Sequence, residues 1–495
     1  MGINSLLGLL GAVTFSQPWV MTVFFALLFT GLAAYSMVRP AAAVALYFAV
    51  SIMNPQASYP LFVDLPAAKI AAGICLFSCL INMRKLSVRL PLALLPMIAF
   101  LIMANISTWT ALQPELADQR FQEFNKIGLM VLLTVWAITT RKDYVFLFWG
   151  IFGSLSYGVL KNLVETQTNG AWVTVHGAAG WIGDSNDWAL ALAMGLPLFY
   201  CALATQWHTG WKRRIFLGTA TAGALLTLTL TSSRGGFLAM AGSGAVFLFM
   251  DRKPLRALAP AMAIALVAGL YMPGAYVHKI GTIFGLEDTA VAAWNDETPD
   301  DDEYTGAERV HYWRVASEVM LDHPLTGVGW GNFIEEFKRR EDLKEGVVAH
   351  STWFQVGAES GIPGLSFYAL MVLTTLAGSL RTWFTARRTN DCWAEQHSRA
   401  ILAGTTAFVI GATFISRENS ELFFIYIAMS AVLAALVQKK DQQDTNAPVR
   451  TDRPGAGRAT SPGEGCSSNA SEPGWRAVRP WQTTGQEHQE RSGHA

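Results

Sequence analysis

The sequence predicts an all-α, polytopic membrane protein of about 13 transmembrane helices (roughly 12–14), with a large, mostly helical loop before the last three spans. Three observations carry that reading. The 495 residues are 52% hydrophobic and only 15% charged, where soluble domains carry about 25% charged residues. Long apolar runs alternate with short loops throughout. Every second loop is rich in Lys and Arg: Arg39, Arg84/Lys85/Arg89, Arg141/Lys142, Lys212/Arg213/Arg214, Arg252/Lys253/Arg256, Arg381/Arg387/Arg388 and Lys439/Lys440. Positive charge beside apolar spans stays on the cytoplasmic side, so the alternation sets the topology of an inner-membrane protein. It also gathers the unusual polar residues on the opposite, periplasmic face.

A spanning helix needs roughly 20 mostly apolar residues. Taken in order, such runs fall at 18–38, 41–55, 67–83 and 90–108, then at 126–140 and 144–163. Four more follow at 187–206, 214–231, 235–250 and 257–272, and the last three at 352–380, 399–416 and 419–438. Residues 3–16 are apolar enough for a further short helix. The N-terminus shows no basic n-region and no small-residue cleavage site, so the first span is expected to act as an uncleaved anchor. With the basic loops inside, the outer segments are 56–66, 109–125, 164–186, the 231–235 turn, 273–351 and the 417–419 turn. The chain thus divides into N-terminal membrane helices (1–272), a large periplasmic loop (273–351) and C-terminal membrane helices (352–438). From 439 to 495 it turns to Gly, Ser, Pro, Gln, Thr, Arg and Glu with few aliphatics. Such a tail buries too little surface to offset chain entropy, and is expected to be disordered and cytoplasmic.

Cations on the outer side break the charge rule and are therefore informative. Arg234 sits in Thr231-Ser232-Ser233-Arg234-Gly235-Gly236, a turn between two apolar spans. A cation there is costly unless partnered. Snorkelling to lipid phosphate is the plainer reading, but the clustered hydroxyls and glycines favour a site residue. Arg120 lies near the entry of the next helix, and Arg417 lies in Ser416-Arg417-Glu418-Asn419, with Glu418 or Glu421 as its simplest partner. Residues 306–321 have helical character, with Arg309, Trp313 and Ala316 on one face. Pro324, Gly327, Gly329 and Gly331 then break the helix into a turn. His350 stands where the next span begins, a titratable base at the membrane boundary. Asp184 or Ser185 is a candidate N-cap for the helix that follows, with Asp187 near its positive end.

Other chemistries find no support. There is no Walker A motif, no His-Glu-x-x-His zinc motif, no Gly-x-Ser-x-Gly elbow and no Rossmann fingerprint. The five cysteines suggest no metal or disulfide framework, and Cys75 and Cys79 read as buried small hydrophobes. The acidic stretch from Glu287 to Glu303 lacks EF-hand spacing and reads as a solvated loop. A formal net charge of zero gives no indication of a nucleic-acid partner.

The polar stretches together resemble the O-antigen ligase and polymerase superfamily of membrane glycosyltransferases. The matching segments are Ser232-Ser233-Arg234-Gly235, then Arg309-x-x-x-Trp313 running into His323-Pro324-Leu325-Thr326-Gly327-Val328-Gly329-Trp330-Gly331-Asn332-Phe333, then His350-Ser351-x-x-x-Gln355-x-x-x-Glu359-x-Gly361-x-x-Gly364. Met53-Asn54-Pro55 and Gly183-Asp184-Ser185-Asn186-Asp187 are similar to a branch of O-glycosylation ligases associated with exosortase systems. The resemblance implies a GT-C-like helical bundle whose outer loop caps a cavity. It implies transfer of a glycan from undecaprenyl diphosphate to an acceptor hydroxyl on lipid, polysaccharide or protein, with inversion and without metal or other cofactor.

On that resemblance Arg234 and Arg309 are the first candidates to hold the diphosphate, with Arg120 and Arg314 behind them. His350 is the candidate catalytic base. Glu359, Asp184 and Trp313 are candidate supporting or sugar-binding residues. A polymerase uses the same donor and the same residue types. A transporter of lipid-linked glycan and a non-catalytic assembly component are the rival classes. Transporters usually place polar sites near the bilayer midplane, whereas here the polar residues gather at one face.

Overall fold

The computed structural model describes residues 18–168, 175–177, 183–206, 209–250 and 306–445. Among these residues the chain is helix and turn throughout. The expected span at 257–272, the short helix at 3–16, the acidic stretch and nearly all of the C-terminal tail lie outside them.

The remaining apolar runs each coincide with a helix. In chain order these are α1 Pro18–Ser36, α2 Pro40–Met53, α3 Ala67–Ile81, α4 Leu95–Trp109, α5 Pro114–Ala137, α6 Arg141–Thr168, α7 Ser185–Thr205, α8 Trp211–Leu230 and α9 Arg234–Met250. The loop helices α10 Gly306–Asp322 and α11 Phe333–Glu341 follow, then α12 Thr352–Arg388, α13 Cys392–Gly411 and α14 Glu421–Thr445. Six stretches among the described residues are long and apolar enough to cross a membrane, in α1, α4, α6, α7, α12 and α14. Helices α3 and α9 are apolar but shorter.

Burial sorts these helices into layers. Every residue of α2 from Pro40 to Ile52 is buried, and so is α7 from Asp187 to Phe199, which puts both at the centre of the bundle. Helix α1 instead exposes Trp19, Val20, Val23, Phe24 and Leu27, while α12 exposes Leu370, Leu373 and Phe384. In a bilayer such apolar outer faces meet lipid, and every backbone polar group must be satisfied within the protein. Cys75, Cys79 and Cys201 are buried and free.

One segment expected to be loop is largely helix: of 109–125, residues from Pro114 onward belong to α5. Pro114 at the first helical position and Glu115 in the first turn start it well before the apolar run. Proline loses nothing there, since that N–H has no helical acceptor.

Helix α12 shows how the outer loop is seated. Pro363 has no N–H and Gly361 is non-helical at φ 69°, so the helix ladder fails at this point. The turn at 324–331 replaces it. Val328 N–H donates to Ala358 O (3.0 Å), Gly329 N–H to Glu359 O (3.2 Å), and Ile362 N–H to Pro324 O (2.9 Å). Ser107 of α4 adds a hydroxyl bond to Glu359 O at 2.5 Å. The approach is close enough that a Cβ at Gly327 would lie 2.3 Å from the Glu359 carbonyl carbon. Trp330 then plugs the turn into the bundle, its ring 4.8 Å from Phe124 and 5.7 Å from Phe100. Such aromatic pairs contribute about 0.5–1.5 kcal/mol each beyond area burial. The loop has a core of its own, Tyr312, Val315, Val319, Val328, Phe333 and Phe337, which closes on Ala349 and Ala358.

Candidate functional site

Five chain segments converge at one end of the bundle: the start of α7, the α8–α9 turn, α10, the entry to α12 and the α13–α14 turn. The local chemistry of each explains its place.

Asp184 caps α7, its Oδ1 accepting from Asn186 N–H at 2.7 Å. Asn186 Oδ1 in turn accepts from Ser233 Oγ at 2.7 Å, which ties the α8–α9 turn to the start of α7. Ser233 Oγ also accepts from Gly236 N–H at 3.1 Å, an N-cap bond for α9. Arg234 is therefore the first residue of α9, held beside the cap of α7. Ser232, two residues before it, has φ 54°. Gly235 lies against Phe414 and Ile415 of the α13–α14 turn, where an added Cβ would make ordinary contact at 3.5 Å from Phe414.

His350 sits at φ 48°, left-handed backbone that non-glycine residues seldom adopt. Such strain costs on the order of 1–3 kcal/mol and persists only where neighbours over-determine it. They do so here. Ala349 N–H donates to Gln355 Oε1 at 2.8 Å, and Ser351 N–H donates to Ser416 Oγ at 3.1 Å. Thr352 N–H reaches Ala412 O (2.8 Å) and Ile415 O (3.0 Å). The imidazole packs on the Tyr312 ring at 5.8 Å. Its pKa is held down at about 4, by burial first and then by the Arg309 charge, against a smaller upward pull from Asp184. Arg309 and Asp184 thus act on one imidazole with opposite effect.

Trp313, one turn beyond Arg309, stacks on Phe354 at 5.3 Å with 14° between planes, and tilts against Phe414 at 6.4 Å. Its buried indole Nε1 has no hydrogen-bond partner among the described residues. Glu359 is fully buried, so it lies beneath this face rather than on it. Its Oε1 accepts from Gln355 Nε2 at 2.6 Å, and the charges of Arg120 and Glu418 act on it. Arg120 packs along Gly331, where a Cβ would meet its Cδ at 2.4 Å. Arg314 turns away: its side chain is 67% exposed, and it contacts His311 Nδ1 at 3.2 Å and Glu318 at 3.8 Å.

The structure corrects the partner expected for Arg417. Its guanidinium pairs with Asp187 of α7, 230 residues away in sequence, and not with Glu418 or Glu421. Glu421 instead accepts from Tyr47 OH and Ser51 Oγ of α2. The signal that could have found the pair is Asp187 itself: a carboxylate in the first turn of a buried helix needs a partner. Gln355 was also missed as a working residue. Its amide joins Ala349, Ser416 and Glu359, which no local pattern reveals. Among the described residues no three His, Cys, Asp or Glu side chains converge to hold a metal ion.

The arrangement offers an imidazole neutral at neutral pH, beside an arginine fork and a carboxylate, at the ends of the helices. It can take a proton from a bound hydroxyl and hold an anion next to it. Comparison with known proteins bears on this site directly. Residues 219–369 match the family model described as O-antigen ligase, a range that includes Arg234, Arg309, His350 and Glu359. Residues 20–175 match a family of unknown function. No curated protein matches the chain.

Proposed function

We propose, on the match of residues 219–369 to the family model described as O-antigen ligase, that this chain is a membrane glycosyltransferase acting on undecaprenyl-diphosphate-linked glycan. The observation that carries the reading is the meeting of Arg309 and Asp184 around His350 at one end of a membrane bundle, each within electrostatic reach of the imidazole.

In the proposed reaction an acceptor hydroxyl attacks the anomeric carbon from the face opposite the diphosphate. The new C–O bond forms as the bond to the phosphate oxygen breaks, so the configuration inverts. The electron pair leaves on the diphosphate, whose charge Arg309 and Arg234 stabilise; a guanidinium fork fits phosphate oxygens in pairs. The hydroxyl proton passes to His350 Nδ1 or Nε2, already in the neutral form needed to receive it. Asp184 then faces the imidazolium that forms. Trp313 and Phe354 provide an aromatic wall for sugar rings, and Arg120 and Glu359 support the turn from beneath. The proposal assigns no metal and no cofactor to these steps, and gives Arg314 no contact with the donor.

The topology belongs to the same proposal. Arg39, Arg84, Lys85, Arg141, Arg387 and Lys440 gather at the opposite end of the helices, which supports a cytoplasmic position for that end and for the tail. The site then faces the periplasm, across a bacterial inner membrane. The resemblance of the first half favours a ligase of the exosortase-associated kind, acting on exported protein or polysaccharide.

His350→Ala tests the reading. Glycan transfer is expected to fall by about 10²–10⁴-fold, the usual contribution of a general base, while the protein still accumulates in the membrane. Near-normal transfer would remove His350 from the mechanism. Deleting the gene identifies the acceptor: loss of a protein-linked or lipid-linked glycan supports a ligase, and loss of long chains alone supports a polymerase.

A further inference from the structure

We propose that Arg417 and Asp187, which lie outside both matched segments, form a positioning pair that sets His350 for proton transfer. The inference rests on the role proposed for His350 and adds to it two residues that never touch the reacting atoms.

The backbone of His350 is strained, at φ 48°. The residues on either side of it are moulded against the α13–α14 turn. Ser351 N–H donates to Ser416 Oγ at 3.1 Å. Thr352 Oγ1 donates to Ile415 O at 2.7 Å and accepts from Arg417 N–H at 2.9 Å. Ser416 Oγ also reaches Gln355 Oε1 at 3.4 Å, the same oxygen that holds Ala349 N–H. The turn is therefore the template on which the His350 conformation is cast.

A short turn between two helices needs an anchor of its own. The Arg417 guanidinium supplies it by reaching across to Asp187, whose side chain is only 3% exposed. Burial weakens the positive charge of Arg417, but the Asp187 bond outweighs it and holds the guanidinium firmly protonated. Breaking one partner of such a buried pair leaves an uncompensated charge. Asp187 is three residues from Asp184, which acts on His350 from the same helix end. One ion pair thus fixes the turn that shapes the His350 backbone and the helix end that faces its ring.

The competing use of Arg417 is direct binding of the diphosphate. The two differ in what they change. A diphosphate ligand sets donor affinity, whereas a positioning residue sets the rate of the step that His350 performs. A second signature is the pH profile. The groups facing His350 are Arg309 and Tyr312 from α10 and Asp184 from the start of α7, while Arg417 is faced by Asp187, Glu418 and Asp184. Without the Arg417 charge, the Asp184 and Asp187 carboxylates of the α7 end lose a neighbouring cation, and Arg309 alone opposes the pull of Asp184 on His350. The carboxylates favour the imidazolium, so the acid limb of the rate moves to higher pH.

The test uses the full chain in membrane vesicles from a deletion strain, with the lipid-linked donor extracted from that strain and its endogenous acceptor. Arg417→Gln is expected to lower the transfer rate on the order of 10²-fold, the cost of a small misplacement of a reacting group. Donor KM stays unchanged and the acid limb shifts upward. Arg417→Lys retains most of the rate, and the reciprocal exchange of Asp187→Arg with Arg417→Asp restores part of it. If Arg417→Gln fails to accumulate, the isosteric Asp187→Asn supplies the rate and KM measurements, with the acid limb expected to move to lower pH because Arg417 then lacks its counter-ion. A raised donor KM with an unmoved acid limb, or an unchanged rate and limb, overturns the proposal. An active His350→Ala overturns the reading beneath it instead, so the two failures are distinct.

Discussion

The two ends of the bundle treat charge in opposite ways. At the basic end several cations have ion-pair partners. Arg39 pairs with Asp143 at 2.8 Å, and Asp391 takes both Arg141 and Lys440, the latter at 3.0 Å. Arg141 also covers the Trp393 ring at 4.5 Å. Burial pushes the Asp391 carboxyl up, but its bonds to Arg141 and Lys440 win and hold it below the ordinary value. At the other end the polar groups are buried, strained and incompletely matched. His350 has left-handed backbone, and Glu359 and Glu418 each keep a buried oxygen without a partner among the described residues. The contrast separates staples from machinery. Paired charges hold the loops in place, while strain and unmatched polarity persist only where the surrounding fold enforces them.

The comparison can be broken at several points. Arg309→Ala is expected to have the largest effect after loss of the base, on the order of 10²–10³-fold in transfer rate, as for removal of a group that stabilises developing negative charge. Unchanged rates would make Arg309 a surface cation. Arg234→Lys keeps the charge but loses the planar fork. It is expected to cost roughly tenfold or more, since hydrogen bonds to charged groups contribute about 1.5–3 kcal/mol; full activity would reduce Arg234 to a general cation.

The pH dependence sharpens the electrostatic claim. A base works only when deprotonated, and His350 is held near 4, below its ordinary 6.5. The kcat/KM of transfer should therefore stay level as pH drops through 6.5 and decline only on approach to about 4. An acid limb centred at 6.5 would show that neither burial nor Arg309 governs the imidazole.

Gly327→Ala tests the seating of the loop. With φ 64° and the Glu359 carbonyl 2.3 Å from the added Cβ, the turn must shift. A loss of about 1–3 kcal/mol is expected, visible as earlier thermal unfolding in detergent. The smallest effect belongs to the basic end. Asp143→Asn removes the Arg39 partner and should change stability by at most about 1 kcal/mol, with glycan transfer intact. A large loss of transfer there would erase the distinction between the two ends.

Legibility followed range along the chain. The Asp184 cap, the helix over 306–321 and the turn beginning at Pro324 were readable because each depends on neighbours a few residues apart. Helix α5 was read too short because its polar first turns look like loop; only Pro114 marks the true start. Glu359, a candidate for support or for sugar contact by its place in a motif, is fully buried, because the break at Gly361 and the turn at Gly327 fold over it. Gln355 carries no local mark of its use, and Asp187 shows only that it needs a partner, not which one.

The sequence by itself determined the apolar helices, the alternation of charge and the residue types gathered at one face, because hydrophobic periodicity and capping act over single turns of helix. The tertiary structure alone decided that Arg417 meets Asp187, that Glu359 lies beneath rather than on the face, and that His350 is cast in left-handed backbone. Those outcomes depend on which helix ends pack together, and a buried charge takes whichever partner the packing brings within reach.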